Sequence, residues 1–306
     1  MTQVAPTPRD ARHGALRGLA ETSLWVAFLR ELEQRRTDRL FDDPYARVFL
    51  DSAGGAGTFW TETPTATASD DFRELMAEQV AVRTAALDAA LLTAVRAGRS
   101  QVVLLACGMD ARAYRLDWPT GTRVFQVDFA PVLEFRTQAL HATGASPRCT
   151  LVDVAADLRE DWGATLRAAG FDPTARTAWL AEGLLYGLPS VAADGLLDAI
   201  GELSAPGSTL ELDHGEDGER LRAARTAIST EFTDLWHGGP RTDLDTWFRQ
   251  HGWAPELRDI GLVAADYGRP TPRAFDPLLP GTGRGWLIHA MRRPLPAGAD
   301  RQPQRG

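Results

Sequence analysis

Three acidic residues follow short apolar runs of this chain: Asp128 after 122–127, Asp157 after 148–154 and Glu182 after 177–181. A further run, 101–106, leads into the small-residue turn Ala106-Cys107-Gly108-Met109-Asp110-Ala111. Small residues at such a turn let the backbone approach a ligand closely. A carboxylate at the end of the next run, twenty residues after Gly108, can accept hydrogen bonds from both hydroxyls of a ribose. Each residue also has a plain structural role open to it. Asp128 can cap the helix that follows it, and Asp157 can cap the helix that holds Trp162. Glu182 is harder to explain that way, because a carboxylate among apolar residues needs a partner. Taken together and in order, the three acids point to a nucleotide-type ligand.

The spacing Ala106-x-Gly108-x-x-Ala111 approaches the dinucleotide glycine pattern, so a nicotinamide or flavin cofactor fits that turn. Asp110 argues against it, since its charge would repel a pyrophosphate seeking a helix N-terminus. Repeated acids suit an adenosine with a cationic tail better, and S-adenosylmethionine has that character. Methyl transfer to a carboxylate needs no base, whereas an alcohol or phenol acceptor needs one. His214 and Tyr186 are the candidate bases; His237 and His251 are poorer ones. Trp236, Trp247 and Trp253 either wall an aromatic acceptor pocket or, as Trp247-Phe248 on an amphipathic helix suggests, belong to the core. No His, Cys and Asp cluster has metal-ligand spacing, so no metal is expected. All 33 basic residues are Arg, which excludes Schiff-base and Walker lysines and lysine acetylation.

The elements that position these residues read as an α/β chain. Residues 21–36 place Leu24, Phe28, Leu29 and Leu32 on one helical face, with Thr22 or Ser23 as a cap. Asp43-Pro44 opens a short helix with Tyr45, Val48 and Phe49 facing inward, 52–70 reads as a loop, and 71–97 as a long amphipathic helix closed by Gly98. Apolar strands at 101–106, 122–127, 148–154, 177–181 and 208–212 then alternate with helices at 130–142, 161–169 and 190–203. That alternation implies a parallel sheet covered on both faces, with ligands outside the carboxyl ends of its strands. Residues 217–235 and 242–251 read as helices and 286–291 as a last, antiparallel strand. The expected organisation is a loose arm over 1–20, one domain over 21–293 (a helical cap over 21–98 and an α/β core over 101–293) and a loose tail over 294–306.

Several stretches resemble the leucine carboxyl methyltransferase family of class I S-adenosylmethionine-dependent methyltransferases, and more closely its bacterial O-methyltransferase branch. They are Ser23-Leu24-Trp25, Phe41-Asp42-Asp43-Pro44-Tyr45-Ala46, Val82-Arg83-Thr84, the block from Ala106 to Leu116, Val127-Asp128, Asp157-Leu158-Arg159, Gly170-Phe171-Asp172-Pro173, Ala181-Glu182-Gly183-Leu184-Leu185 and Leu203-Ser204-Ala205-Pro206-Gly207-Ser208. The resemblance runs over about 22–291. It implies a Rossmann-like, seven-stranded sheet with added N-terminal helices and a C-terminal insertion that builds the acceptor pocket. It also implies roles. Ala106, Gly108, Asp128 and the adjoining Phe129 would hold the adenosine, Asp128 through the ribose, and Asp157-Leu158 would frame the adenine. Arg83 would reach the methionine carboxylate, although on its own it reads as a solvated helix charge. Glu182 would lie near the methionine amine or closely support the residue that does. Two positions depart from the family pattern: Ala106 stands where the turn's first glycine is usual, and Gly187 where a tyrosine is usual, with Tyr186 one position early.

Composition bounds the partners. The chain has 306 residues, 44% hydrophobic and 24% charged, with a formal charge of -8. Nucleic acid is not an expected partner for so acidic a chain, and no apolar run reaches the ~18 residues of a membrane span. Two cysteines, Cys107 and Cys149, fit a reducing compartment, and the expected location is the cytoplasm. The expected activity is S-adenosylmethionine-dependent O-methylation of a small acceptor, such as a secondary metabolite. The alternatives are carboxyl methylation of a protein or small acid, a nicotinamide-dependent oxidoreductase, and a non-catalytic S-adenosylmethionine-binding protein.

Overall fold

The computed structural model describes residues 19–54, 66–228 and 236–294. Residues 1–18 of the expected arm, 295–306 of the expected tail, and the 229–235 part of the expected helix over 217–235 lie outside them. Among the described residues, three helices precede the sheet: α1 (Leu19–Gln34), α2 (Tyr45–Ser52) and α3 (Ala66–Arg96). Then come β1 (Gln101–Leu105), α4 (Arg112–Arg115), β2 (Arg123–Asp128), α5 (Ala130–His141), β3 (Thr150–Ala155), α6 (Trp162–Ala168), β4 (Thr177–Ala181), a short 3-10 turn Leu185–Gly187, α7 (Ser190–Glu202) and β5 (Thr209–Gly215). The chain closes with α8 (Glu219–Ile228), α9 (Leu244–Gln250), β6 (Trp253–Asp259), α10 (Ile260–Asp266) and β7 (Gly285–Arg292).

The seven strands form one sheet in the order β3-β2-β1-β4-β5-β7-β6. β1 to β5 are parallel, and β7 runs antiparallel between β5 and β6. The order reverses at β1, so β1 and β4 flank the switch point at which such sheets bind ligands. Strand side chains alternate between two apolar layers. Val103, Leu105, Phe125, Val127, Trp179 and Leu212 join one cluster, while Val102, Leu104, Val124 and Leu180 join the other beneath α3 and α5. β1, β4 and β5 are buried along their whole length, and the apolar runs of β1 and β4 follow from it, whereas β5 also buries Glu211, Asp213 and His214.

Some boundaries differ from the sequence reading. α1 begins at Leu19, so Thr22 and Ser23 lie inside the helix. α3 starts at Ala66, within the stretch expected to be loop. Asp161, not Asp157, caps α6 by accepting from Ala164 N at 3.1 Å. β5 runs on to Gly215 because β7 pairs with it over 209–215, so His214 is a strand residue rather than one beyond the strand. β6 and α10 were not anticipated. β6 is an edge strand that holds Pro255 and the charges Glu256 and Arg258, so its pattern lacks the apolar run of a central strand.

Candidate active site at the carboxyl edge of the sheet

Asp128 ends β2 facing the turn after β1. Its carboxylate accepts from Gly108 N and from Phe129 N, each at 2.7 Å, one on either oxygen. Phe129 N belongs to the N-cap residue of α5, whose own side chain makes no cap. Each oxygen retains a lone pair, so two further hydroxyl donors can be accepted. Burial pushes the Asp128 carboxyl above its ordinary value, against the pull of the two backbone donors.

The turn itself is held in an unusual shape. Ala106 has φ 47° and Gly108 has φ 48°, both left-handed. A Cβ on Gly108 would lie 2.5 Å from Ser23 Cβ, so α1 crosses directly over this glycine. Asp157 follows β3 and is occupied by Arg159, which it meets through two guanidinium nitrogens and the backbone N. Leu158 beside it is half-buried against the first apolar cluster.

Glu182 ends β4 inside a buried ionic network. Its Oε1 accepts from Arg30 Nη2 of α1 and from Arg83 Nε of α3, both at 2.9 Å, and its Oε2 from Arg112 Nη1 at 2.6 Å. Arg83 also donates to Asp213 Oδ2 of β5 at 2.9 Å, and the other Asp213 oxygen accepts from Gly183 N at 2.6 Å. Arg112 reaches Asp88 of α3 and Asp110 of the turn. Arg115 binds Asp88 as well and approaches Asp43 at 3.7 Å. The guanidiniums hold the Glu182 carboxyl well below the ordinary glutamate range, overriding the opposing effect of burial. Counted as charges, four arginines (Arg30, Arg83, Arg112, Arg115) face five carboxylates (Asp43, Asp88, Asp110, Glu182, Asp213). Burial pushes the Asp43 carboxyl above its ordinary value, so the charge balance of the cluster turns on that group.

Two sequence readings change here. Arg83 is 1% exposed and ion-paired on both sides, so it is not a solvated helix charge. Asp110 is neutralised by Arg112, so its charge gives no argument against a pyrophosphate.

Tyr186 packs beside the Arg83 guanidinium, and a Cβ on Gly183 would lie 3.3 Å from its Oη. Burial pushes its phenol up to about 12, so it keeps its proton at neutral pH. Its ring stacks on Trp236 at 3.9 Å and 14°. His214 and Asp213 are neighbours on β5 and point to opposite faces. The His214 ring stacks on Trp286, its Cε1 would meet a Cβ on Gly239, and its Nδ1 is buried without a hydrogen-bond partner. Burial lowers its pKa, outweighing Asp213 and Glu216, so the imidazole is neutral at pH 7. Trp247 and Trp253 are core residues; of the three candidate pocket tryptophans only Trp236 adjoins the site.

The site thus brings together Ala106, Gly108, Asp128 and Phe129 at one end and Arg83, Glu182 and Tyr186 at the other. Arg30, Asp88, Arg112 and Asp213 were missed by the sequence reading. A weak signal existed for two of them, because Arg112 lies in the motif block and Asp88 lies between the core residues Leu87 and Leu91 on α3. Among the described residues no group of His, Cys, Asp and Glu is arranged to hold a metal ion, and no helix is long and apolar enough to cross a membrane.

The leucine carboxyl methyltransferase family model matches residues 23–201. A protein of Mycobacterium avium, provisionally named an S-adenosyl-L-methionine-dependent methyltransferase, is 38% identical over 298 residues, covering 89% of this chain and 94% of its own. A provisionally named relative of the same description from Rhodococcus jostii is 41% identical over 282 residues, with 89% and 95% covered. Among solved structures, a provisionally named methyltransferase from Thermobifida fusca superposes with a TM-score of 0.51 at 22% identity, over 81% of this chain and 94% of that one. That last likeness is one of fold. The sheet order, the family match and the near full-length relatives agree: this chain belongs to the leucine carboxyl methyltransferase family, within the S-adenosylmethionine-dependent methyltransferases.

Proposed function

We propose that this enzyme transfers the methyl group of S-adenosylmethionine to a hydroxyl oxygen of a small acceptor, with His214 as the general base. When bound, S-adenosylmethionine supplies an electrophilic methyl on a sulfonium. The residues fit it. Asp128 retains acceptor capacity for two ribose hydroxyls, with Ala106, Gly108 and Phe129 giving backbone close to it. Asp157 and Leu158 frame the adenine. Arg83 reaches the methionine carboxylate and Glu182 the ammonium group, each with the charge opposite to that of its partner. Tyr186, which keeps its proton, donates to the acceptor and positions it.

The observation that carries the hydroxyl reading is the neutral His214 imidazole with an unpartnered, buried Nδ1 near the carboxyl end of β5. Its neighbour Gly239 belongs to the 237–239 turn, whose His237 and Gly238 amides donate to the Tyr186 carbonyl. One short segment therefore adjoins the His214 ring and the Tyr186 backbone. A neutral imidazole can take the hydroxyl proton without first losing one.

The test is a pH–rate profile. The lowered pKa puts the rising limb below pH 6.5, with the base competent above it. His214→Ala is expected to lower kcat by roughly 10²–10⁴-fold and to abolish that limb, with affinity for S-adenosylhomocysteine unchanged. An identical profile in both proteins removes His214 from the reaction. A wild-type profile that stays flat down to about pH 5, with no limb for His214→Ala to abolish, assigns the acceptor oxygen to a carboxylate, which is already ionised there.

A further inference from the structure

A second buried cation lies beside this site and lacks the compensation the others have. Arg225 of α8 is 1% exposed. It donates through Nη2 to Asp217 at 2.7 Å, and Asp217 is shared with Arg222. Its Nε and Nη1 are buried with no partner. By contrast, Arg83, Arg112 and Arg115 each meet two or more carboxylates. Burial lowers the Arg225 pKa despite Asp217, the mark of a charge short of counter-charge.

The neighbours of Arg225 say what the missing partner would adjoin. Its Cζ lies 4.3 Å from the centroid of the Trp236 ring. The Trp236 Nε1 is also buried without a partner. Trp236 in turn stacks on Tyr186, which adjoins Arg83. A continuous line of side chains thus runs from the Glu182 network through Tyr186 and Trp236 to Arg225. If the cofactor's methionine end lies at that network, the acceptor lies along this line.

We propose that Arg225, with Trp236 Nε1, binds a carboxylate carried by the acceptor, so that the substrate is a small acid. This rests on the small-acceptor O-methylation reading and adds its charge and the residue that selects it. Orphaned buried donors are costly, and an anion satisfies them with charge-assisted hydrogen bonds. A single negative charge suffices, because Asp217 already supplies part of the balance. The indole and phenol rings suit an aromatic acid.

The experiment titrates the full chain, loaded with S-adenosylhomocysteine, with benzoate and indole-3-acetate and with their neutral amides. Wild type is expected to bind at least one acid ~10-fold or more tightly than its amide, as a charge-assisted hydrogen bond provides. Arg225→Gln is expected to erase that preference and Arg225→Lys to keep part of it, while affinity for S-adenosylhomocysteine stays unchanged and reports that both variants are folded. No preference in the wild type overturns the proposal, as does a preference that survives Arg225→Gln. A loss of S-adenosylhomocysteine affinity in both variants, with native circular dichroism, also overturns it by moving Arg225 to the cofactor. The underlying reading fails separately, if labelled methyl from S-adenosylmethionine ends on nitrogen, sulfur or protein.

Discussion

The two ends of the site are built by different means. At the end of β2, Asp128 is held by backbone amides from its own neighbour and from the adjacent turn. At the end of β4, Glu182 is held by three guanidiniums from α1, α3 and α4, with partners 152, 99 and 70 residues away in sequence. The first arrangement follows once β1 and β2 pair. The second exists only when the N-terminal helices have docked on the sheet. The β4 end therefore depends on that docking through its charges, whereas Asp128 is held by backbone amides of the sheet edge alone.

The strongest way to break this comparison is Glu182→Ala. It removes the carboxylate common to Arg30, Arg83 and Arg112 and leaves buried guanidiniums under-compensated. Removing one partner of a buried ion pair costs about 3–5 kcal/mol, so urea unfolding at pH 7 is expected to show a loss of that size. A loss below about 1 kcal/mol would mean that the network is redundant and that α1 is held chiefly by its apolar face.

The same difference explains what was legible in the sequence. The strand-end acids, the small-residue turn and the parallel strands were readable because each depends on local pattern or on adjacent strands. β6 was not, because an edge strand with Pro255 and alternating charge carries no buried run. Nor was the pairing of Arg30 with Glu182, since nothing local in either residue names the other. Arg83 reads alone as a helix charge; only the docking of α3 against β4 and β5 buries it between Glu182 and Asp213. His214 was legible as a candidate but not its setting, which depends on the antiparallel return of β7 with Trp286.

Asp128→Ala sharpens the comparison from the other side. Charge-assisted hydrogen bonds contribute roughly 1.5–3 kcal/mol each, so calorimetry is expected to show at least ~10-fold weaker binding of S-adenosylhomocysteine. Two backbone amides lose their acceptor, so a cost of about 1–3 kcal/mol in urea unfolding accompanies it, smaller than for Glu182→Ala. Unchanged affinity would confine Asp128 to shaping the turn.

Acid should also separate the two ends, because their carboxyl shifts have opposite sign. Glu182 is held low, so its stabilising contribution is full above the ordinary glutamate pKa and is lost only as pH falls below it. Asp128 is held high, so its ionised form costs stability at neutral pH, and that cost is relieved as pH falls through its raised value. Protonation there removes the charge that holds the ribose. Affinity for S-adenosylhomocysteine is therefore expected to fall as the pH is lowered from 7 toward the raised Asp128 value, above the range in which Glu182 titrates and the fold weakens. Calorimetry on wild type and Asp128→Asn checks it. The wild type should lose affinity while circular dichroism stays native, and the Asn variant should not respond. A parallel decline in both would assign the effect to another group.

The smallest effect tests the turn that joins the two ends. Ala106 and Gly108 share a left-handed backbone, and only Gly108 is closed in by Ser23. A non-glycine residue in that region carries a cost of roughly 1–2 kcal/mol, which glycine removes. Glycine gives back about 0.5–1 kcal/mol through the freedom it adds to the unfolded chain. The Ala106 side chain is exposed, so its loss forfeits little packing. Ala106→Gly is thus expected to be neutral or to stabilise the protein by up to about 1 kcal/mol in urea unfolding, with binding of S-adenosylhomocysteine retained. Gly108→Ala should do the reverse, since its Cβ would displace Ser23 and with it α1, weakening the Arg30 contact to Glu182 at the far end of the site. If Ala106→Gly instead destabilised the chain by more than about 1 kcal/mol, the methyl group would be fixing the turn in place, and the departure from glycine at this position would be a constraint on the site rather than a tolerated strain.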